Sequence, residues 1–447
     1  MEGLEISVVK LSEVLEDVDL RLESEYYNSE HIVFNSVQGC DIESFSQYGT
    51  SEDLNEEGKG FPILRLNEFD SFFISKPSKY CDLISKETFE LLKLKKNDVL
   101  ICRTNGNPKY VGKAAIVPKN YEYAFASYVF RLRPKTDIIN SATLVSFLNS
   151  KYGRIEIEKY SMVGNQANFS PAKFRQIAIP ILSKELNNKI EEIVYKSFEL
   201  LEESKSLYSQ AEDLLLGELG LKDWQPKNTL HTTKKFSDFA QSGRLDAEYY
   251  QPKYDEIEKA IKSYKGGYDI VSNLFNQNLD VCDYKKTEYN YIEIGDVNVG
   301  DGSVSFNKVE TSELPDNAKR VLNKNDILIS KVRPYRGAVA IIDFEQEDLI
   351  GSGAFTVLQE KSSYKKETLQ ILFRTAVYKD WLLKWNVGSS YPVIKDEDIL
   401  NLPIPILPEQ IQKKIASLIQ QSFECKAQSK QLLEDAKRMV EAEIEKN

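Results

Sequence analysis

IPILSKELNNKIEEIVYKSFELLEESKSLYSQA, residues 179–211, returns about 225 residues later as IPILPEQIQKKIASLIQQSFECKAQSKQLLEDA, residues 404–436. Thirteen of the 33 positions are identical, where unrelated sequence would give roughly two. After IPIL, the positions Ile190, Val194, Ser197, Leu201, Ser204, Tyr208, Ala211 and Leu215 step alternately by four and three. A second seam, Ile193, Ser197, Leu200, Ser204, Leu207, Ala211 and Leu214, lies beside the first. The C-terminal copy offers Leu418, Ser422, Cys425, Ser429, Leu432, Ala436 and Met439. Sustained a/d spacing predicts a coiled coil, and small seam residues let two helices approach closely. The natural partner of each helix is the other, as an antiparallel pair.

The duplication extends outward from the helices. RLESEYY (21–27) pairs with RLDAEYY (244–250), KKNDVLIC (95–102) with NKNDILIS (323–330), and VGKAAIV (111–117) with RGAVAII (336–342). Order and spacing are both kept, and a period this long is a whole domain, not a solenoid unit. Runs such as DVLICR (98–103), GKAAIV (112–117) and YVFRLR (128–133), with counterparts DILISK, GAVAII and AFTVL, predict strands between turn-rich stretches. LVSFLNSKYGRIEIEKY (144–160) and LQILFRTAVYKDWLLKW (369–385) carry helical spacing. The fold class expected is therefore α+β: two similar globular domains, each followed by a long helix. GELGLKDWQPKNTLHTT (217–233) has linker composition, with Trp224 as its packing anchor.

The chain has 447 residues and a formal net charge of −11, with five scattered cysteines and no CxxC pair. Such cysteines suggest reduced thiols, an acidic opening (MEGLEISVVKLSEVLED) argues against a signal peptide, and no apolar run suits a membrane helix. A cytoplasmic protein without membrane contact is expected. Only two histidines, His31 and His231, are present, and no phosphate-binding glycine loop occurs. Asn107-Pro108-Lys109-Tyr110 lacks the second proline of the Asn-Pro-Pro-Tyr motif of amino-methyltransferases. No catalytic centre, metal site or cofactor of its own is expected.

What the chain does carry is locally clustered basic residues. Between 93 and 119 stand Lys93, Lys95, Lys96, Arg103, Lys109, Lys113 and Lys119 against the single acid Asp98. Between 319 and 336 stand Lys319, Arg320, Lys324, Lys331, Arg333 and Arg336 against Asp326. Both clusters contain a proline-anchored loop with a tyrosine, NGNPKYVGK and VRPYRG, at matched places in the repeat. Lys and Arg neutralise phosphates, and Arg, Asn and Gln read base edges. The candidate DNA-contacting residues here are Arg103, Asn105, Asn107, Lys109, Tyr110 and Lys113, and Lys331, Arg333, Tyr335 and Arg336. A second loop pair, MVGNQANFSPAKF (162–174) and WNVGSSYPVIKDEDI (385–399), adds Gln166 and Asn168, and Ser389, Ser390 and Tyr391.

With these segments in place, the chain resembles the specificity (S) subunits of type I restriction-modification systems over essentially its full length. The resemblance implies two target-recognition domains, 1–178 and 235–402, each reading one half of a bipartite double-stranded DNA site. It implies helical regions at 179–217 and 403–447 that set the spacer, joined through a linker at 218–234. It further implies two modification (methyltransferase) subunits, which carry S-adenosylmethionine, and restriction subunits, which use ATP and Mg. The alternative reading is a non-catalytic scaffold with duplicated protein-binding domains.

Overall fold

A computed structural model describes residues 8–16, 34–161, 167–227, 229, 231–388 and 390–446. The RLESEYY copy at 21–27 and His31 lie outside the described residues. The chain divides into two compact units, one built from the described residues of 1–201 with 426–446, the other from 202–425.

In the first unit, β1 (Glu43–Tyr48), β2 (Val99–Cys102), β3 (Ala114–Ile116) and β4 (Val129–Pro134) form an antiparallel sheet in the order β1-β4-β2-β3. Alternation along the strands supplies two cores. Val99, Ile101, Phe130 and Leu132 join one cluster, while Leu100 and Val129 join the other. Both faces are buried, which is why VLIC reads as a continuous apolar run. On one side lie helices Ser141–Leu148 and Lys151–Tyr160, broken by Ser150, whose hydroxyl caps Gly153 N at 3.2 Å. On the other lies a three-stranded sheet in which Phe61–Leu64 runs parallel to Ala124–Phe125. The unit then runs into α1 (Lys184–Leu219, 36 residues).

The second unit repeats the plan. β5 (Phe275–Gln277), β6 (Ile327–Ser330), β7 (Val339–Ile341) and β8 (Phe355–Glu360) form a sheet in the equivalent order, β5-β8-β6-β7. Its companion sheet has four strands, again with a parallel pair, Glu288–Ile292 against Leu349–Ser352. The helix that follows is α2 (Glu409–Ile444, 36 residues).

The repeated Asn-Asp before β2 and β6 is a folding device. Asn97 (φ 70°) and Asn325 (φ 75°) adopt the left-handed conformation that asparagine tolerates best among non-glycine residues. Each following aspartate is buried and accepts a backbone N–H, from Lys95 at 2.9 Å and from Asn323 at 3.0 Å. Asp98 is neutralised by Arg131, 3.2 Å away, and by Arg133. Asp326, with no cation in ion-pair distance among the described residues, accepts further from the side-chain amides of Asn278 and Gln359, and burial raises its pKa.

The helices do not stay with the unit that precedes them. The first unit's core takes Ile190, Val194 and Leu201 from α1, and Leu433, Ala436, Val440 and Ile444 from the end of α2. The second unit's core takes Ile415 and Ile419 from α2, and Ala211 and Leu215 from the end of α1. Ser197 Oγ meets Ser429 Oγ at 2.9 Å in the first unit, and Ser204 Oγ meets Ser422 Oγ at 3.0 Å in the second. Advancing seven residues along α1 retreats seven along α2, which is antiparallel register. The α1 seam is the expected one. On α2 the buried line is Ile415, Ile419, Ser422, Ser429, Leu433, Ala436 and Val440. This corrects the expected line: Leu418, Cys425, Leu432 and Met439 are only partly buried, on its flank. The sequence there offers apolar residues at both flanking choices, and packing selects the line equivalent to that of α1.

Candidate nucleic-acid interface

At the matched place in each unit, the chain leaves its β2 or β6 strand, makes one turn of 3-10 helix, and returns as β3 or β7. The turns are Pro108–Tyr110 and Pro334–Arg336, each with proline at its first position, where the missing N–H costs nothing. Each is followed by a glycine in the left-handed region, Gly112 (φ 76°) and Gly337 (φ 72°). Side chains other than glycine are strained there, so the repeated glycine fixes where the basic loop ends.

In the first unit, Asn107, Lys109, Tyr110 and Lys113 are exposed, with Lys113 over the Tyr110 ring at 4.3 Å. Desolvation of its ammonium by the surrounding protein and the nearby Arg154 guanidinium lower the Lys113 pKa, a tension that an incoming anion relieves. Arg103 lies over Tyr48 at 5.0 Å and donates to Ser127 O at 3.3 Å. Asn105 Oδ1 accepts from Asn107 N at 2.8 Å, and Asn107 Oδ1 from Lys109 N at 3.0 Å. Both amide oxygens thus build the loop. Bidentate adenine recognition needs the oxygen as well as the NH2, and here each oxygen already spends one of its two lone pairs on the loop. Asn168 pairs with Thr104 in a short antiparallel ladder that backs the loop. Gln166 lies outside the described residues.

In the second unit, Arg333 has a left-handed backbone (φ 51°), uncommon for a side chain of its size. Its N–H donates to Pro392 O at 2.8 Å, and its guanidinium lies 5.5 Å from the Tyr391 ring. The two predicted loops therefore meet here. Tyr335, Arg336, Ser390 and Tyr391 are exposed, and Ser389 lies outside the described residues. Lys331, by contrast, is engaged by Asp396 at 3.0 Å, and Asp396 also accepts from Thr356 at 2.6 Å. It acts as a strut under the loop. The 386–393 turn closes so tightly that a Cβ on Gly388 would stand 1.9 Å from Tyr391 O.

The basic stretches thin out once ion pairs are considered. Lys93 is paired with Glu122 at 2.7 Å and Lys324 with Glu345 at 3.7 Å. Among the described residues, Arg103, Lys109, Lys113, Arg333 and Arg336 have no carboxylate within ion-pair distance. Unpaired cations at equivalent loops in a chain of net charge −11 make each loop a local positive focus.

Several contributors were not foreseen. Tyr48 and Tyr128 are exposed beside Arg103, with Arg103 N donating to Tyr128 O at 2.8 Å. Arg374 is buried, and its guanidinium donates to Gly337 O and Val299 O, each at 2.9 Å, and to Tyr208 Oη on α1. Arg244, from the repeated RLDAEYY segment, donates to Asn386 O at 2.8 Å and pairs with Asp246 at 2.7 Å. Only the last had a sequence signal, its recurrence. A cleft of about 680 Å³ opens between these pinned loops, with Val332, Arg333, Arg336 and Tyr391 in its walls.

Residues 269–438 match the family model described as the type I restriction modification DNA specificity domain. The second unit is thus similar to that domain, and the first unit repeats its sheet order and loop plan. The match lies in the second half of the chain, from the start of the second unit's sheets through most of α2. No curated protein matches the chain. Among solved structures it is similar to the S subunit of a type I restriction-modification system from M. genitalium, at 13% identity and a TM-score of 0.44, covering 93% of this chain and 96% of that one. It is also similar to the HsdS subunit from Thermoanaerobacter tengcongensis, at 13% identity and a TM-score of 0.29, covering 92% and 96%.

Proposed function

We propose that the chain has no chemistry of its own and directs a methyltransferase to a bipartite DNA target, one half-site per unit. The recognition regions are 1–178 and 235–402. The helical regions 179–217 and 403–447, joined through 218–234, set the spacer and dock two modification subunits, with restriction subunits added for cleavage. S-adenosylmethionine belongs to the modification subunit, and ATP and Mg to the restriction subunit. The complex works in the cytoplasm, in keeping with a described chain in which no helix is long and apolar enough to cross a membrane.

One observation carries this reading: unpaired cations sit at equivalent proline-anchored loops in both units. Arg103, Lys109, Lys113 and Arg336 neutralise phosphates, Arg333 and Tyr391 face base edges, and Tyr110, Tyr335 and Ser390 line the same surfaces. Asn105, Asn107, Asn168 and Lys331 shape the loops, while Gln166 and Ser389 complete the second loop pair. The test is to map methylated adenines in the host genome with and without this gene. A two-part motif with a fixed spacer that vanishes on deletion supports the reading. Methylation indifferent to the deletion refutes it and favours the scaffold.

A further inference from the structure

The cleft of the second unit holds more than a phosphate-binding loop needs. Beside the two arginines its walls are Ile294, Val297, Val299, Val332 and Ala338. Val299 stands at a turn tip, 53% exposed, yet its backbone is firmly held. Its carbonyl accepts from buried Arg374 at 2.9 Å, Gly302 O accepts from Gln370 at 3.1 Å, and Asn298 N donates to Ser303 O at 2.8 Å. An exposed valine on a pinned turn contributes little to folding, and a rigid support is what a binding contact requires.

We propose that this cleft receives the 5-methyl group of a pyrimidine from the major-groove edge, with Val299 and Val332 as its seat. The inference rests on the DNA-reading function proposed above. In the major groove the 5-methyl is the apolar feature of a base pair, and apolar side chains are its natural contact. Arg333, held against Tyr391 at 5.5 Å, sits where it can donate to the neighbouring base. Among the described residues the first unit does not repeat the seat: Thr104 and Lys113 stand where the second unit has Val332 and Ala338. The two half-sites therefore differ in chemistry, and only one is methyl-dependent. Thymine and 5-methylcytosine both offer the group.

The full chain, assembled with its modification subunit, is titrated with duplexes carrying the mapped target. Each thymine is replaced in turn by deoxyuridine, and in a second series each cytosine by 5-methylcytosine. Loss of one buried methyl weakens binding about fourfold, at one thymine in one half-site, and Val299→Ala brings the thymine and uracil duplexes together. A gain of similar size at one cytosine, likewise abolished by Val299→Ala, assigns the methyl to 5-methylcytosine and equally upholds the seat. Indifference to every substitution, or an unchanged ratio in Val299→Ala, overturns it while leaving target discrimination intact. Failure to distinguish target from scrambled duplex would instead sink the DNA-reading function itself.

Discussion

Ending the chain after Cys425 should unfold the unit that begins the sequence and spare the one to which the cut is adjacent. The removed segment carries Leu433, Ala436, Val440 and Ile444, all nearly or fully buried in the first unit's core. Burying three large aliphatic side chains contributes about 5–9 kcal/mol on a scale of roughly 1.5–3 kcal/mol each, an upper bound because unfolded chains are partly compact. Two polar ties go as well: Glu441 Oε1 accepts from Lys151 N at 2.8 Å, and Glu445 Oε1 from the Tyr152 hydroxyl at 2.6 Å. Against a typical stability of about 5–15 kcal/mol for a domain, the loss is most of what the first unit has. The second unit keeps Ile415, Ile419 and the end of α1. Amide hydrogen exchange on the truncated chain, followed by peptide, separates the units. Rapid exchange in β2 and β4 with protection retained in β6 and β8 is expected. Protection lost first in β6 and β8, or kept in β2, would refute the shared-helix account.

Arg374→Met leaves the Val299 carbonyl without its donor and removes one of the two donors to Gly337 O, which keeps Val339 N, at about 1–3 kcal/mol for a buried group left unpaired. Genome-wide methylation mapping should then show one half of the motif relaxed and the other intact. Arg336→Ala should reduce the salt dependence of DNA binding by about 0.9 in the log–log slope with the motif unchanged, whereas Arg333→Ala should relax one motif position; binding titrations across salt and the methylation map test the two. Because the Asn107 oxygen serves Lys109 N, Asn107→Ser should preserve the target sequence, and Asn107→Ala should lower affinity for all sequences alike in filter binding. Deleting 198–204 together with 422–428 keeps Ser197 against Ser429 while removing two turns, about 11 Å, so the spacer of the methylated motif should shorten by about three base pairs.

The fold was legible because its determinants are written twice. Seam positions, Asn-Asp turns and Pro/Gly loop ends all recur at fixed spacing, and each serves a local backbone need that the sequence states directly. The proposed base-contacting surface was legible only as composition. Lys331 and Arg333 are two residues apart on one basic loop, yet Asp396, remote in sequence, binds the first and leaves the second unpaired. Val299 and Arg374 belong to segments with no shared pattern, and only the tertiary fold brings them together at the cleft. The α2 seam shows the same limit at smaller scale, since neighbouring leucines satisfy the heptad equally well.

The shared helices also bear on why the two units would be kept on one chain. Neither unit can close its core with its own segment alone: each borrows the last turns of a helix that starts in the other. The serine pairs add specificity to this exchange. Ser197 with Ser429 and Ser204 with Ser422 are buried hydroxyls, and all four are paired in one register only. A slip of one heptad would keep one serine pair and bury the other two hydroxyls against aliphatic side chains, at about 1–3 kcal/mol for each unsatisfied group. Apolar seams hold two helices together in many registers, and these serines select one. For a protein whose proposed task is to hold two DNA-reading loops in fixed relation, the register is the quantity that must not drift.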